Sequence, residues 1–338
     1  MLNRQRILTQ YPWLRPSADA VGVVMGDDLD AALTTALYLH THPNARLIGI
    51  YRGYETVLYS AASWEEVLHA VWLDLDIYHP ACRSLGHHIL RLSPQDQLPG
   101  LAHSCNLNEL AGRSVQQNFT QKYPLGTIHF LLWLYRLEIP ELPHAELLIW
   151  LADSSYINGQ AESWHKKRPR GQNPPRWVKG PGFRWNVKRW LYTQIPLQSL
   201  QASFQRIDTP DFEEQMERFQ QKVMAPAGFQ QGNGQVASRR RKLSGYQCQP
   251  AKDADIRAYI YRLLRFSCTQ TGWQVRLSQL APFETPRQLS GERKIMHVTA
   301  IPEQDLARLL RQRQAFSYVF QSRRYLNYTT EIAPAPPR

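Results

Sequence analysis

The chain has 338 residues, 43% of them hydrophobic and 11% aromatic, which excludes a disordered protein and is enough for more than one domain with a buried core. No apolar run reaches the roughly 18 residues of a membrane span, and the start, MLNRQRILTQYPW, lacks the apolar stretch of a signal peptide. The net charge of +12 is uneven: residues 1–150 hold 10 Lys and Arg against 14 Asp and Glu, whereas residues 151–338 hold 30 against 14.

The basic second half therefore favours a polyanionic partner, with solubility alone as the alternative. The cysteines are widely scattered, a spacing typical neither of a zinc ribbon nor of a disulfide framework. They stand at Cys82, Cys105, Cys248 and Cys268. We expect a cytoplasmic protein that does not contact a membrane.

Strands alternate with helices in the first 160 residues. Apolar, β-branched runs predict strands, and Ala and Leu at helical spacing or a Ser-x-x-Glu capping pattern predict helices. The strands are expected at 20–26, 45–51, 70–76 and 84–90, and the helices at 27–42, 63–70, 124–137 and 144–157. This order predicts an α/β fold with a parallel sheet covered on both faces.

The composition changes near residue 160. The stretch 165–190 is basic, carries tryptophans and is broken by Pro and Gly, and 228–245 has the composition of a linker. Other elements are expected as helices at 211–224, 253–266 and from Pro302 to 313, and as strands at 272–280, 293–301 and 316–330. We therefore divide the chain into an α/β domain (1–160), a basic connector with an amphipathic helix (161–245) and a small α+β domain (246–330).

Acidic and imidazole side chains follow the predicted strands and one apolar helix. They are Asp27, Asp28, Asp30, Asp74, Asp76, His87, His88 and Asp153. Because parallel strands end at one edge of a sheet, these groups are expected to converge in a crevice there. Buried carboxylates that repel one another need a cation, and a mixed Asp/His shell suits Mn²⁺ better than Ca²⁺. Two metal ions bridged by a carboxylate can activate water against a phosphate.

Four motifs in this order resemble the DHH phosphoesterase superfamily. That group includes RecJ-like exonucleases, nanoRNA and cyclic-dinucleotide phosphodiesterases and family II inorganic pyrophosphatases. VMGDDLDAALTTAL carries the first motif, Asp74 the second, GHH at 86–88 the third and Asp153 in LADSSY the fourth. CNLNELAG at 105–112 also looks like an Asn-rich segment of some relatives. The resemblance covers roughly residues 18–160.

The resemblance implies a DHH-like α/β domain and hydrolysis of a phosphodiester by metal-activated water. The cofactor would be Mn²⁺ or Mg²⁺, as one or two ions. The implied metal ligands are Asp28, Asp30, Asp74, His87 and Asp153. Asp28 would also assist catalysis, and His88 would stabilise charge on the phosphate oxygens.

Two positions depart from the family pattern. Val24 stands where the first histidine is expected, and Gly86 replaces the Asp of Asp-His-His. One metal site is then complete and the other lacks its imidazole, for which Asp27, Asp76 or His79 are candidate substitutes. A rearranged two-metal site, a one-metal enzyme and an inactive relative all remain open.

Cations interleaved with aromatic rings in 165–190 are typical of single-strand binding, where phosphates meet cations and bases stack on rings. The candidate nucleic-acid-binding residues here and in the charge run at 239–242 are Lys166, Lys167, Arg168, Arg170, Arg176, Trp177, Lys179, Trp185, Arg239, Arg240 and Arg241. The alternatives are a surface loop pinned by tryptophans and a solvated charge cluster. A GGGH-like glycine signature is absent, so no substrate role is transferred to 245–330.

Our leading hypothesis is a metal-dependent phosphodiesterase or nuclease acting on nucleic acid, in single-stranded form. The first alternative is a nucleic-acid-binding accessory protein on a catalytically degenerate DHH-like scaffold, which Val24 and Gly86 favour. The second is a small-nucleotide phosphodiesterase or phosphatase, against which the basic second half argues. The hypothesis covers both DNA and RNA.

Overall fold

The computed structural model describes residues 1–17, 19–153, 155–160, 182–229, 255–301 and 305–332. The chain forms two compact units that are each discontinuous in sequence. A helical unit comprises Met1–Leu2, Asp28–Leu37 and Pro124–Val275, and a sheet unit comprises Asn3–Asp27, Tyr38–Tyr123 and Arg276–Arg338. Asn3–Asp27, near the start of the chain, and Arg276–Arg338, at its end, therefore share the sheet unit. The division into three consecutive domains stays a prediction.

The sheet unit contains a seven-stranded sheet in the order β6-β5-β4-β1-β2-β3-β7. Its strands are β1 (Val21–Met25), β2 (Ala45–Arg52), β3 (Thr56–Tyr59), β4 (Val71–Leu73), β5 (Arg83–Gly86), β6 (Cys105–Asn106) and β7 (Arg287–Ser290). The neighbours from β6 to β2 pair in parallel, and β3 pairs antiparallel with β2 and with β7. The predicted α/β class with a mostly parallel sheet is confirmed.

The centre of the sheet is apolar on both faces, as expected for parallel strands covered by other elements. Val23, Val24 and Met25 of β1 are fully buried, and so are the three residues of β4. The strand order reverses at β1, because the chain goes from β1 to β2 on one side and later returns to β4 on the other. The carboxyl ends of β1 and β4 thus form the kind of switch point at which α/β proteins bind ligands.

The helices of the sheet unit are short. Those that lie wholly within residues 3–123 are α1 (Arg4–Gln10), α3 (Trp64–Leu68), α4 (Leu107–Leu110) and α5 (Val115–Asn118). Ser63 is the N-cap of α3, since its Oγ accepts from the Glu66 amide at 3.1 Å. The Glu66 carboxylate accepts from the Ala62 amide at 2.9 Å, not from the Ser63 amide as in a full capping box.

A second, antiparallel sheet has the order β8-β10-β9, with β8 at Arg293–His297, β9 at Ala315–Phe320 and β10 at Tyr325–Thr330. Helix α13 (Leu306–Gln312) packs beside it in an apolar cluster that includes Tyr78, Ile89 and Tyr318. The tail predicted as one strand at 316–330 is therefore a two-stranded hairpin.

The strand predicted at 272–280 is wrong. Leu277–Gln279 form a 3₁₀ turn instead. The side-chain amide of Gln279 donates to the carbonyls of Leu39 and His42 at 2.9 and 3.2 Å. The Gln279 side-chain amide and an isolated β-bridge between Leu280 and Leu47 thus hold the end of this segment.

The helical unit contains most of α2 (Leu29–Thr41) and a set of later helices. These are α6 (Thr127–Tyr135), α7 (Ala145–Trp150), α8 (Ser155–Gly159), α9 (Gly182–Arg189), α10 (Gln198–Arg206), α11 (Pro210–Phe219) and α12 (Ile256–Thr271). The single helix predicted at 144–157 is wrong, because the chain breaks at Asp153, whose φ of 48° is left-handed. α9 and α11 each continue as a short π-helical turn, Trp190–Gln194 and Gln220–Met224.

None of the helices within the described ranges has both the length and the apolar character needed to cross a membrane. Cys82, Cys105 and Cys268 are free thiols, and Cys248 lies outside the described residues.

Candidate metal centre

Asp30, Asp74 and His87 are three buried residues that could hold a metal ion. Their exposed fractions are 1%, 6% and 7%. Nδ1 of His87 lies 3.2 Å from a carboxylate oxygen of Asp74. Two buried carboxylates and one buried imidazole are a donor set that suits a divalent metal ion.

Strand pairing explains why Asp74 and His87 are neighbours. Asp74 directly follows β4 and His87 directly follows β5, and the last part of the ladder pairs Leu73 with Leu85. Parallel pairing brings the two carboxyl ends to one edge. Asp74 has a φ of 59°, a left-handed conformation that Asp adopts more readily than most residues. Such strain is typical of functional positions, where the surrounding fold holds a side chain in place.

Asp30 lies in the first turn of α2, and its carboxylate has a structural role within the helical unit. Its Oδ2 accepts from the Thr127 amide at 2.6 Å, and its Oδ1 accepts from the Ile128 amide at 3.0 Å. These amides belong to the first turn of α6, where helices leave N–H groups without helical partners. A carboxylate has about four lone-pair sites, so this anchoring is compatible with metal binding.

The donor set determines which ion fits. Two carboxylates would repel each other when buried together, and a divalent cation would neutralise them. One imidazole beside two carboxylates suits Mn²⁺ or a similar first-row ion better than it suits Ca²⁺ or Mg²⁺, which prefer shells made of oxygen ligands only. Three protein ligands would leave coordination positions for water or substrate, which is the condition for metal-assisted hydrolysis.

The adjacent histidine, His88, has a carboxylate partner of its own. Its Nδ1 lies 2.9 Å from Oδ2 of Asp76, which also accepts from the His88 backbone amide at 3.2 Å. The His87 and His88 rings are stacked, with centroids 4.6 Å apart and planes 21° from parallel. The His88 side chain is 30% exposed, whereas the Asp76 side chain is fully buried. His88 is thus the more accessible of the two imidazoles.

Two asparagines brace the histidine segment. Asn106 caps α4 by accepting from the amides of Asn108 and Glu109 at 2.8 and 3.1 Å. Its Nδ2 also donates to Oδ1 of Asp76 at 2.7 Å and to the His88 carbonyl at 2.8 Å. Asn108 donates to the His87 carbonyl at 2.6 Å. Besides the cap, the two side chains thus contact the backbone carbonyls of both histidines.

Asp28 and Asp153, the other proposed ligands, are described residues that do not belong to this group of three. Asp28 accepts from the Ala31 amide at 2.9 Å, in the manner of a helix cap. Asp153 is half-buried at the left-handed break between α7 and α8. Their assignment as metal ligands stays a prediction.

Asp27 and His79, two of the candidate substitutes for the missing imidazole, do not belong to the group of Asp30, Asp74 and His87. Asp27 accepts from the Gly53 amide at 2.9 Å, and burial raises the pKa of its carboxyl. Burial lowers the pKa of His79, whose Nδ1 lies 3.2 Å from the Ala81 amide. Val24 is fully buried in β1 and offers no ligand atom.

Trp185 is the one candidate nucleic-acid-binding residue that lies within the described ranges. It is 58% exposed on α9, and the Arg189 guanidinium lies 5.6 Å from its ring centroid. Arg184 instead pairs with Asp208 at 3.3 Å and stacks over Phe204, so it serves the packing of the helical unit. The others lie outside the described residues: Lys166, Lys167, Arg168, Arg170, Arg176, Trp177, Lys179, Arg239, Arg240 and Arg241.

No protein-family model, curated protein or solved structure matches this chain. What can be inferred about its chemistry therefore comes from its own residues.

Proposed function

We propose that the protein is a metal-dependent phosphodiesterase that hydrolyses single-stranded nucleic acid. The observation that carries this proposal is the buried group of Asp30, Asp74 and His87. The resemblance of the same segments to DHH phosphoesterases is consistent with it. Mn²⁺ is the proposed cofactor and Mg²⁺ the alternative.

Each residue of the candidate site has a proposed role in hydrolysis. Asp30, Asp74 and His87 hold the metal, which when bound supplies positive charge for the phosphate and activates water. Asp28, just before α2, assists and is a further candidate ligand, and Asp153 is the fifth. His88 faces the phosphate with its partly exposed ring and stabilises charge on the oxygens.

The nucleic-acid part of the proposal is supported by one face of α9 and the π-helical turn that follows it. Trp185, Lys188, Arg189 and Tyr192 have the i, i+3, i+4 and i+7 spacing that puts side chains on one side of a helix. Trp185 and Tyr192 are 58% and 37% exposed. Trp190, by contrast, is buried. Exposed rings beside cations can stack bases and contact phosphates at once.

Hydrolysis of end-labelled single-stranded DNA and RNA oligonucleotides tests the proposal. We expect cleavage with Mn²⁺, none with a chelator, and a loss of about 10³ in rate or more in Asp74→Asn, because a ligand to the metal is lost. Asp19→Asn, which removes an exposed carboxylate of the sheet unit, is the matched control and should keep the parent rate. Equal rates in Asp74→Asn and the parent would refute the assignment.

A second candidate function is a nucleic-acid-binding accessory protein without catalysis. It is favoured by Val24, which replaces the first-motif histidine with a buried aliphatic side chain. Oligonucleotide binding by gel shift, with no cleavage under Mn²⁺, Mg²⁺, Co²⁺ or Zn²⁺, would select this candidate over the enzyme.

A further inference from the structure

Asp76 occupies the space that a side chain at position 86 would fill. Gly86 ends β5, and a Cβ built on it would collide with the carboxylate of Asp76. Gly86 does not have a left-handed φ, so its backbone does not demand glycine. Glycine is therefore required at this position for room, and the group that uses the room is a carboxylate.

The Asp76 carboxylate accepts hydrogen bonds on both oxygens. Oδ1 accepts from Asn106 Nδ2 at 2.7 Å. Oδ2 accepts from the His88 amide at 3.2 Å and lies 2.9 Å from Nδ1 of the same residue. An Asn side chain has an oxygen on only one arm, so its NH₂ would face a donor whichever way it pointed. The site is thus built for a carboxylate.

We propose that Asp76 is the positioning residue of His88 and supplies, from the end of β4, the carboxylate that Gly86 lacks. Asp76 fixes the ring by engaging Nδ1, so that the Nε2–H of the protonated ring is the donor that can reach a substrate oxygen. Asn106 holds the other oxygen of Asp76 and so fixes the carboxylate in turn. The inference rests on the proposed function for the role of His88, but the Asp76–His88 contact itself does not.

Steady-state kinetics of Asp76→Asn, His88→Ala and the double variant test the positioning role. We expect each single variant to lose about 10²–10³ in kcat, the loss typical of one transition-state donor. The double variant should lose no more than His88→Ala alone, because Asp76 acts through His88. KM and the Kd for Mn²⁺ should change less than about threefold. Additive losses in the double variant, or a parent-like kcat in Asp76→Asn, would overturn the proposal.

Asp96→Asn is the matched control for loss of a buried carboxylate in the same unit. Asp96 is 2% exposed and accepts from the amides of Leu92 and Ser93 at 2.8 and 2.9 Å. Its replacement should lower thermal stability while leaving kcat of the folded protein within about threefold. A similar kcat loss in Asp96→Asn and Asp76→Asn would mean that both act through stability alone.

Imidazole ¹⁵N NMR of the metal-free protein tests the contact without any activity. The neutral His88 ring should carry its proton on Nδ1 in the parent and in Asp96→Asn, and lose this preference in Asp76→Asn. If the parent proves inactive, the proposed function fails while this spectrum still decides the positioning. A proton on Nε2 in the parent would contradict it.

An exchange variant tests whether the carboxylate can be moved to residue 86. Gly86→Asp alone should lose activity, because its side chain collides with Asp76. Combining Gly86→Asp with Asp76→Gly should recover at least about tenfold of the kcat lost in Asp76→Gly. A folded exchange variant with no recovery would count against the proposal, and if it does not fold, the NMR result decides.

Discussion

Nδ1 of His87 lies 3.2 Å from a carboxylate oxygen of Asp74, which joins the residue after β5 to the residue after β4. Both side chains are less than a tenth exposed. The contact follows from the parallel pairing of two short strands, in which Leu73 at the end of β4 pairs with Leu85, one residue before the end of β5. With Asp30 as the third buried member, the pair forms the group on which the metal proposal depends.

Metal binding should stabilise the folded protein and depend on His87. A metal that binds the native state at 100 times its Kd adds about 2.7 kcal/mol to the free energy of unfolding. We expect Mn²⁺ to raise the Tm of the parent and of His69→Gln, in which an exposed histidine paired with Glu65 is lost. In His87→Gln the rise should vanish, as thermal unfolding followed by circular dichroism would show. An undiminished rise would place the binding site elsewhere.

Asp30→Asn should destabilise the folded protein even without metal. Both carboxylate oxygens of Asp30 accept amides from the first turn of α6, and Asn can accept on only one arm. The free energy of unfolding of the metal-free protein should fall by about 1–3 kcal/mol. Asp74→Asn should cost less, since Asn tolerates the left-handed φ of this position. Urea denaturation with chelator measures both, and equal stability of parent and Asp30→Asn would contradict the anchoring role.

The exposed face of α9 should contribute stacking and charge separately. Trp185→Ala should weaken single-strand binding by about 1–3 kcal/mol with an unchanged salt dependence. Arg189→Ala should lower the slope of log K against log salt by about 1. Arg218→Ala, an exposed arginine on α11 paired with Glu214, is the charge control. Fluorescence anisotropy at several salt concentrations separates the two effects. Equal slopes of log K against log salt for the parent, Arg189→Ala and Arg218→Ala would exclude a phosphate contact by Arg189.

Acidification should destabilise the protein in part through His42. Its Nδ1 lies 2.9 Å from the Tyr38 carbonyl and its Nε2 2.9 Å from the Arg15 carbonyl, and its ring stacks on Tyr38. Burial lowers the pKa of His42. As the pH falls below about 6.5, the unfolded chain therefore binds a proton at His42 more readily than the folded protein does. The contribution of neutral, buried His42 to the free energy of unfolding is present above that pH and is lost below it.

Comparing the free energies of unfolding of the parent and His42→Gln isolates the contribution of His42 to the acid sensitivity. The difference between their free energies of unfolding should shrink as the pH falls from 7.5 to 5.5. A difference that stays constant over this range, measured by urea denaturation at each pH, would show that His42 does not contribute to the acid sensitivity.

The sequence predicted β1, β2 and β4 because they lie within apolar runs, a signal that needs no tertiary information. β6 has only two residues and β7 is a largely exposed edge strand, so neither carries such a signal. The break at Asp153 was also hidden, because a left-handed φ in a non-glycine residue leaves no trace in hydrophobic periodicity.

In the candidate site, too, some residues could be predicted from the sequence and others could not. Asp30, Asp74 and His87 could be predicted, since each follows a strand whose end lies at the functional edge of a parallel sheet. Asp76 was considered only as a substitute ligand. Its fit against Gly86 depends on the register of β4 and β5 and on the position of Asn106, which a single sequence does not reveal.

Anomalous diffraction from crystals of the protein soaked in Mn²⁺ tests the central claim most directly. We predict a manganese peak coordinated by Asp30, Asp74 and His87, and its loss in Asp74→Asn. Saturating Mn²⁺ with no peak at these three side chains, or a peak that persists unchanged in Asp74→Asn, would contradict the account.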